Sequence, residues 1–124
     1  MKIAGFSRGW SSYGPGFPPF EYFEKGELVG FDIDLGKAIA HKMGKEVKFI
    51  ELPFDSLIAA LHAKKVDMVL SALTPTPERE KAVDFSEDYN RSNNVLITPG
   101  LTVVNDVKKL SGQIVGVQLG STYE

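Results

Sequence analysis

The sequence predicts an α/β domain: a mostly parallel sheet flanked by helices. Three observations lead there. Residues 47–52 read as a strand, and the nearly continuous apolar run at 66–73 has the composition of a strand buried on both faces. Before and between them lie segments whose apolar residues recur three to four positions apart, as on one face of a helix. The resulting order of strand, helix, strand, helix, strand favours parallel pairing with right-handed crossovers. Bulk composition agrees, since 43% of the 124 residues are hydrophobic, 24% charged and 10% aromatic, which excludes disordered, collagen-like and coiled-coil chains.

In order along the chain, residues 1–6 are apolar enough for a strand, and 7–20 form a loop because Gly14, Pro15, Gly16, Pro18 and Pro19 interrupt regular structure. Trp10, Tyr13, Phe17 and Phe20 make that loop aromatic; Phe20 is assigned to packing beneath it, the others to packing or ligand stacking. Residues 21–23 and 28–31 flank a turn at Lys25-Gly26 and form a hairpin. Asp32 is the expected N-cap of a helix whose face is Phe31, Leu35, Ile39 and Met43, with Gly44 as its left-handed C-terminal residue. A strand at 47–52 follows, then a helix capped by Asp55 with Leu57, Ile58 and Leu61 on one face, then the buried strand 66–73. Thr76, Pro77 and Glu78 start a short third helix, with a hydroxyl cap, proline at the first helical position and an acid in the first turn. Residues 94–98 are read as a strand closed by Pro99-Gly100. Asn105 or Asp106 caps a helix of one to two turns through Leu110, Ser111-Gly112 turns, and 114–118 forms a strand that runs into Gly120-Ser121-Thr122.

Composition also bounds function. With 14 basic and 16 acidic residues the net charge is −2, so the chain has no general attraction for nucleic acid or an anionic membrane. The absence of cysteine excludes disulfides, thiolate metal sites and cysteine nucleophiles. No apolar run approaches the roughly 18 residues of a membrane span, and Met1-Lys2-Ile3 lacks the apolar region of a signal peptide. Neither cofactor nor metal is expected: there is no P-loop, no G-x-G-x-x-G and no H-E-x-x-H, and His41 and His62 read as surface residues.

The informative cluster is Ser71, Thr74, Thr76 and Arg79, at the C-terminal end of a buried strand and across a helix start, where open α/β sheets bind ligands. The guanidinium fork of Arg79 matches a carboxylate or phosphate, so the cluster is a candidate carboxylate receptor. The structural alternative has Thr76 only capping and Arg79 pairing with Glu78, Glu80 or Asp84. Gly120-Ser121-Thr122 is a second, weaker anion site, and Trp10, Tyr13, Phe17 and Phe54 offer stacking faces. Asp32 and Asp34 are assigned structural roles at the helix start.

The strings GFDIDLGKAIA from Gly30, LPFDSLIAALHAKKVDMVLSALTPTPERE from Leu52 and AVDFS from Ala82, in this order and spacing, resemble the bacterial periplasmic solute-binding proteins of family 3, which deliver polar amino acids to ABC importers. The resemblance covers residues 17–124 and implies a periplasmic-binding-protein-like (type II) α/β lobe, residues 1–98. Residues 99–124 would be the hinge and first strand of a truncated second lobe, since family members are about twice this length. By the same resemblance Arg79 meets the ligand α-carboxylate, Thr74 the α-carboxylate and α-amino ends, and Ser71 and Ala72 line the pocket, Ala72 through its backbone alone. Phe17 and Phe54 would sandwich the ligand side chain, while Gln118, Ser121 and Thr122 contribute from the second lobe. The segment before Pro18-Pro19-Phe20, Ser11 to Gly16, lacks an acidic residue that the family commonly carries there, which leaves the side-chain preference open.

The function implied is reversible binding of a free amino acid outside the cytoplasm, with no chemistry, for handover to importer membrane subunits when the protein is full length. Weak or absent affinity is expected of this chain alone, and self-association or segment exchange through 101–124 is expected of an incomplete lobe. The alternatives are a lyase, such as a dehydratase, on the same clamp, which would need a positioned acid or base, or the ligand-sensing domain of a receptor.

Overall fold

The computed structural model describes residues 1–5, 16–100 and 103–124. The expectations for Phe6, Trp10, Tyr13 and the rest of the loop at 7–15 lie outside the described residues. Strand β1 (Lys2–Ala4) pairs in parallel with β5 (Lys48–Ile50) on one side and with β6 (Met68–Val69) on the other, in the order β5-β1-β6. The expected parallel α/β sheet is therefore present. A central strand covered on both faces needs apolar residues on both, and Ile3 and Ala4 are completely buried. Helix α1 (Phe31–Lys42) lies so close over one face that a Cβ on Gly36 would stand 3.0 Å from the Phe49 ring and 3.1 Å from Ile3. Helix α2 (Leu57–His62) supplies Leu57 and Ala60 to a cluster with Ala4 and Val66, joined by Ile50, Leu52, Phe54, Leu61 and Val69.

The hairpin forms as β3 (Glu21–Glu24) and β4 (Glu27–Val29), and its turn residues Lys25 and Gly26 both have positive φ, 51° and 86°, the geometry that matches strand twist in a two-residue turn. On the other edge β2 (Gly16–Phe17) pairs antiparallel with Glu21 and Tyr22, so the expected loop ends in a short strand.

Asp32 is not the cap of α1. The N-cap is Gly30, and the first free helix N–H groups are met by main-chain carbonyls, Phe31 N–H donating to Pro19 O (2.9 Å) and Asp32 N–H to Phe20 O (2.8 Å). That approach requires Gly30, whose φ is 127° and whose Cβ, if present, would sit 2.3 Å from Phe20 O. Its capping duty removed, Asp32 turns inward and is fully buried. The buried stripe is correspondingly Ile33, Gly36 and Ala40, while Phe31 and Met43 are exposed. Gly44 ends the helix with φ 63°, as expected.

Asp55 also fails as a cap. Pro53 starts a 3₁₀ turn at Phe54–Ser56, Ser56 N–H and Oγ both bond Pro53 O, and α2 continues from it with Asp55 exposed. Among the described residues the run 66–73 pairs at Met68–Val69, flanked by Asp67 N–H to Lys2 O and Leu70 N–H to Ala4 O. Thr76 caps α3 (Pro77–Glu80) as expected, its Oγ1 accepting from Arg79 N–H at 3.3 Å. Asp106 caps a 3₁₀ turn at Val107–Leu110 through Lys108 N–H at 2.9 Å. The strands expected at 94–98 and 114–118 do not form. Among the described residues neither run has a strand beside it to pair with, and Val95, Ile97 and Ile114 are almost fully exposed.

Candidate functional site

The site lies where β6 leaves the sheet. Ser71 is buried, and Ala72 turns the chain with φ 44°, a left-handed conformation that costs a residue with a Cβ on the order of 1 kcal/mol. What holds it is a double acceptor: Ala72 N–H donates to Asp32 Oδ2 at 2.9 Å and is also within 3.1 Å of the Tyr89 hydroxyl, which itself donates to Asp32 Oδ2 at 3.1 Å. Strain at a strand end, held by a buried carboxylate, is characteristic of sites that present backbone to a ligand. Asp32 thus has the structural role expected of it, by a different route.

Around this turn the fold gathers a small, open pocket lined by both polar and aromatic side chains. Phe17 reaches it from β2 and Phe54 from the 3₁₀ turn after β5. Ser71, Ala72 and Thr74 come from the strand-end turn, Arg79 from α3, and Gln118, Ser121 and Thr122 from the C-terminal turn. All nine residues singled out from the sequence line this one cavity. Thr76 instead serves as the helix cap, and the described aromatic Phe20 stacks on Phe17 with centroids 5.4 Å apart.

Arg79 does not spend its charge on surface acids. Its Nη1 donates to Thr74 O and its Nη2 to Gly120 O, both at 2.6 Å, and its guanidinium carbon lies 5.8 Å over the Phe54 ring. The fork therefore ties the strand-end turn to the C-terminal turn across the pocket. A carboxylate is a stronger acceptor than a neutral carbonyl and competes directly for those two donors.

Two lining residues were missed in the sequence, Glu21 and Tyr123. Glu21 opens β3 and is only 1% exposed; its Oε1 accepts from Ser71 Oγ at 2.5 Å and its Oε2 has no partner. Burial pushes its carboxyl from an ordinary 4.5 up to about 8, against the Ser71 hydrogen bond and aided by the neighbouring Asp32. Burial beside Asp32 also pushes the Tyr89 phenol up. The only sequence signal for Glu21 was an acid directly behind Pro18-Pro19-Phe20, at the inward position of a short strand.

The raised Glu21 value has a consequence for stability. The folded chain holds a proton there that the unfolded chain releases, so the stabilisation is complete below pH 4.5 and is lost as pH rises through about 8. Between pH 6 and 8 this amounts to about 2 kcal/mol. Glu21→Gln keeps the Ser71 bond and offers Nε2–H to Asp32, so urea melts of this variant are expected to lack that slope; an identical slope in both proteins would contradict the assignment.

Among the described residues no cluster of three or more His, Cys, Asp or Glu is placed to hold a metal ion. His41 and His62 are exposed, as expected. Asp34 lies on the α1 surface, 3.9 Å from Lys37.

Comparison with known proteins gives a consistent result. Residues 12–113 match a family model described as bacterial extracellular solute-binding proteins, family 3. The chain is 48% identical over 108 residues to the arginine-binding extracellular protein ArtP of Bacillus subtilis, covering 87% of this chain and 42% of that one. It is 37% identical over 112 residues to a histidine-binding periplasmic protein of Escherichia coli, covering 89% and 43%. Among solved structures, an ancestral arginine-binding protein bound to arginine superposes with a TM-score of 0.64 at 43% identity, over 73% of this chain and 37% of that one. The arginine-bound form of domain 1 of an arginine-binding protein, a Phe57Trp mutant in that protein's own numbering, superposes with a TM-score of 0.61 at 42% identity, over 71% and 64%. The chain spans less than half the length of the curated relatives it matches.

Proposed function

Because this chain belongs to the bacterial extracellular solute-binding proteins, family 3, we propose that it binds a free cationic amino acid, arginine foremost, for handover to an ABC importer outside the cytoplasm. The observation that carries this reading is one pocket with a guanidinium on one side and a buried carboxyl on the other: Arg79 for the α-carboxylate, Glu21 for a cationic side chain. A ligand with an anion at one end and a cation at the other makes use of both. Glu21 also supplies, just after Pro18-Pro19-Phe20, the acid that the sequence lacks before it.

In this reading Thr74 meets the α-carboxylate and α-amino groups, Ser71 and the Ala72 backbone line the floor, and Gln118, Ser121 and Thr122 close on the ligand. Phe17 and Phe54 hold the planar side chain between them, a contact worth roughly 0.5–2 kcal/mol per ring with a cation. Residues 1–98 form the first lobe and 99–124 the hinge and the beginning of a second. The arginine-bound form of a relative's domain 1 supports binding by first-lobe residues, beside which the weak affinity expected from the sequence stands to be measured. Thermal-shift assays against the standard amino acids test this: arginine is expected to raise the melting temperature most, and no response to any of them would overturn it.

A lyase on the same clamp would need a buried acid, and Glu21 is one. The binding reading is favoured because the family is a solute-binding one and Glu21 has a sufficient role as a charge partner. Arginine incubated with the chain is expected to be recovered unchanged by NMR, and any converted product would favour the lyase.

The exposed apolar residues Val103, Ile114 and Leu119 favour association with a second copy through the C-terminal segment. Light scattering is expected to show dimers or larger species at micromolar concentration; a strict monomer would contradict this.

A further inference from the structure

Glu21 and Asp32 meet beneath the pocket from two elements, β3 and α1, and each is at most 1% exposed. One oxygen of each is satisfied, Glu21 Oε1 by Ser71 Oγ and Asp32 Oδ2 by Ala72 N–H and the Tyr89 hydroxyl. The other two, Glu21 Oε2 and Asp32 Oδ1, are buried with no donor, and Asp32 is near enough to Glu21 to help hold its carboxyl protonated. If both were ionised, two buried acceptors would stay empty and two like charges would sit side by side. A single proton removes both penalties, because Oε2–H then donates to Oδ1. Among the described residues the groups facing the pair do not supply a competing cation: Ser71 and Ala72 follow β6, Tyr89 packs as a neutral phenol, and Arg79, across the pocket, is engaged by Thr74 O and Gly120 O.

We propose that one proton bridges Glu21 and Asp32 in the empty pocket and that the cationic side chain of a bound amino acid expels it to solvent, so that binding of a cationic ligand is coupled to proton release. This rests on the amino-acid reading above and adds a regulation to it. The proton balance is simple: a guanidinium keeps its own proton at any accessible pH, so the one that leaves is the carboxyl proton, and the pair becomes the counter-ion of the ligand. Acidic surroundings therefore oppose loading with arginine, while ligands with neutral side chains leave the proton in place. Burial holds the Glu21 carboxyl near 8, so the proton is present at neutral pH before ligand arrives.

Calorimetry of L-arginine and of L-citrulline, its neutral isostere, in buffers of different ionisation enthalpy tests the coupling. Arginine is expected to release close to one proton at pH 7 and to gain about 50-fold in affinity from pH 6 to 8, while citrulline releases none and shows a flat profile. Glu21→Gln, which mimics the protonated acid, is expected to abolish the release. In parallel, carbon-13 NMR of labelled glutamate carboxyls in the ligand-free chain is expected to show one group titrating near 8 that disappears in Glu21→Gln. Arginine that binds with no proton exchange overturns the inference and leaves the amino-acid reading standing. Arginine that does not bind overturns that reading and the coupling together, and the carboxyl titration then judges the shared proton by itself; glutamates that all titrate in the ordinary range overturn it.

Discussion

Arg79→Ala is expected to lower the affinity for arginine by at least about a hundredfold. The fork makes two charge-assisted hydrogen bonds at 2.6 Å to Thr74 O and Gly120 O, and a ligand carboxylate takes over these donors. Hydrogen bonds to charged groups contribute about 1.5–3 kcal/mol each, and every 1.4 kcal/mol is about tenfold in affinity, so losing two gives a factor between about a hundred and ten thousand. The variant also releases the tie between the strand-end turn and the C-terminal turn, which loosens residues 118–122 before any ligand arrives. Arg79→Lys keeps the charge but not the planar fork, and falls between the two. Calorimetry of the three proteins checks this; equal affinity in Arg79→Ala would remove the carboxylate assignment.

Leu57→Ala is expected to destabilise the fold by about 2–5 kcal/mol, the range for emptying a fully buried leucine site. Leu57 is completely buried and is the largest of the fully buried residues in its cluster, beside Ala4, Ala60 and Val66. Domains of this size are stable by only about 5–15 kcal/mol, so the loss is a large share of the whole. It also reaches the site, because Phe54 packs against the same cluster and lines the pocket. Urea denaturation is expected to show a marked fall in midpoint, with a smaller one for Ile58→Ala, whose side chain is half-buried. A midpoint unchanged by Leu57→Ala would contradict the packing described.

What could be read from the sequence was what local chemistry decides. The turn at Lys25-Gly26, the cap at Thr76, the left-handed Gly44 and the apolar runs of the parallel sheet depend on residues within a few positions of one another. Asp32 could not be read that way, because the carbonyls of Pro19 and Phe20 capped the helix from a separate segment and left the acid free to turn inward. Strands at 94–98 and 114–118 were expected from short apolar runs bounded by turn residues, and such a run cannot say whether a pairing edge is present. Glu21 escaped notice because its character comes from Ser71, 50 positions away, and from burial against Asp32. Seven of the nine pocket residues were candidates from their own chemistry, while Ala72, Gln118 and the gathering of all nine into one site came from family resemblance, which carries the tertiary information that periodicity lacks.

The central claim is that one pocket holds a free amino acid by both ends, with its α-carboxylate on Arg79. Calorimetric titration of the chain with L-arginine and with agmatine, which is arginine without the carboxylate, tests it most directly. Saturable one-to-one binding of arginine, with agmatine weaker by a hundredfold or more, is the expected result; agmatine binding as tightly as arginine, or no binding of arginine at all, would contradict it.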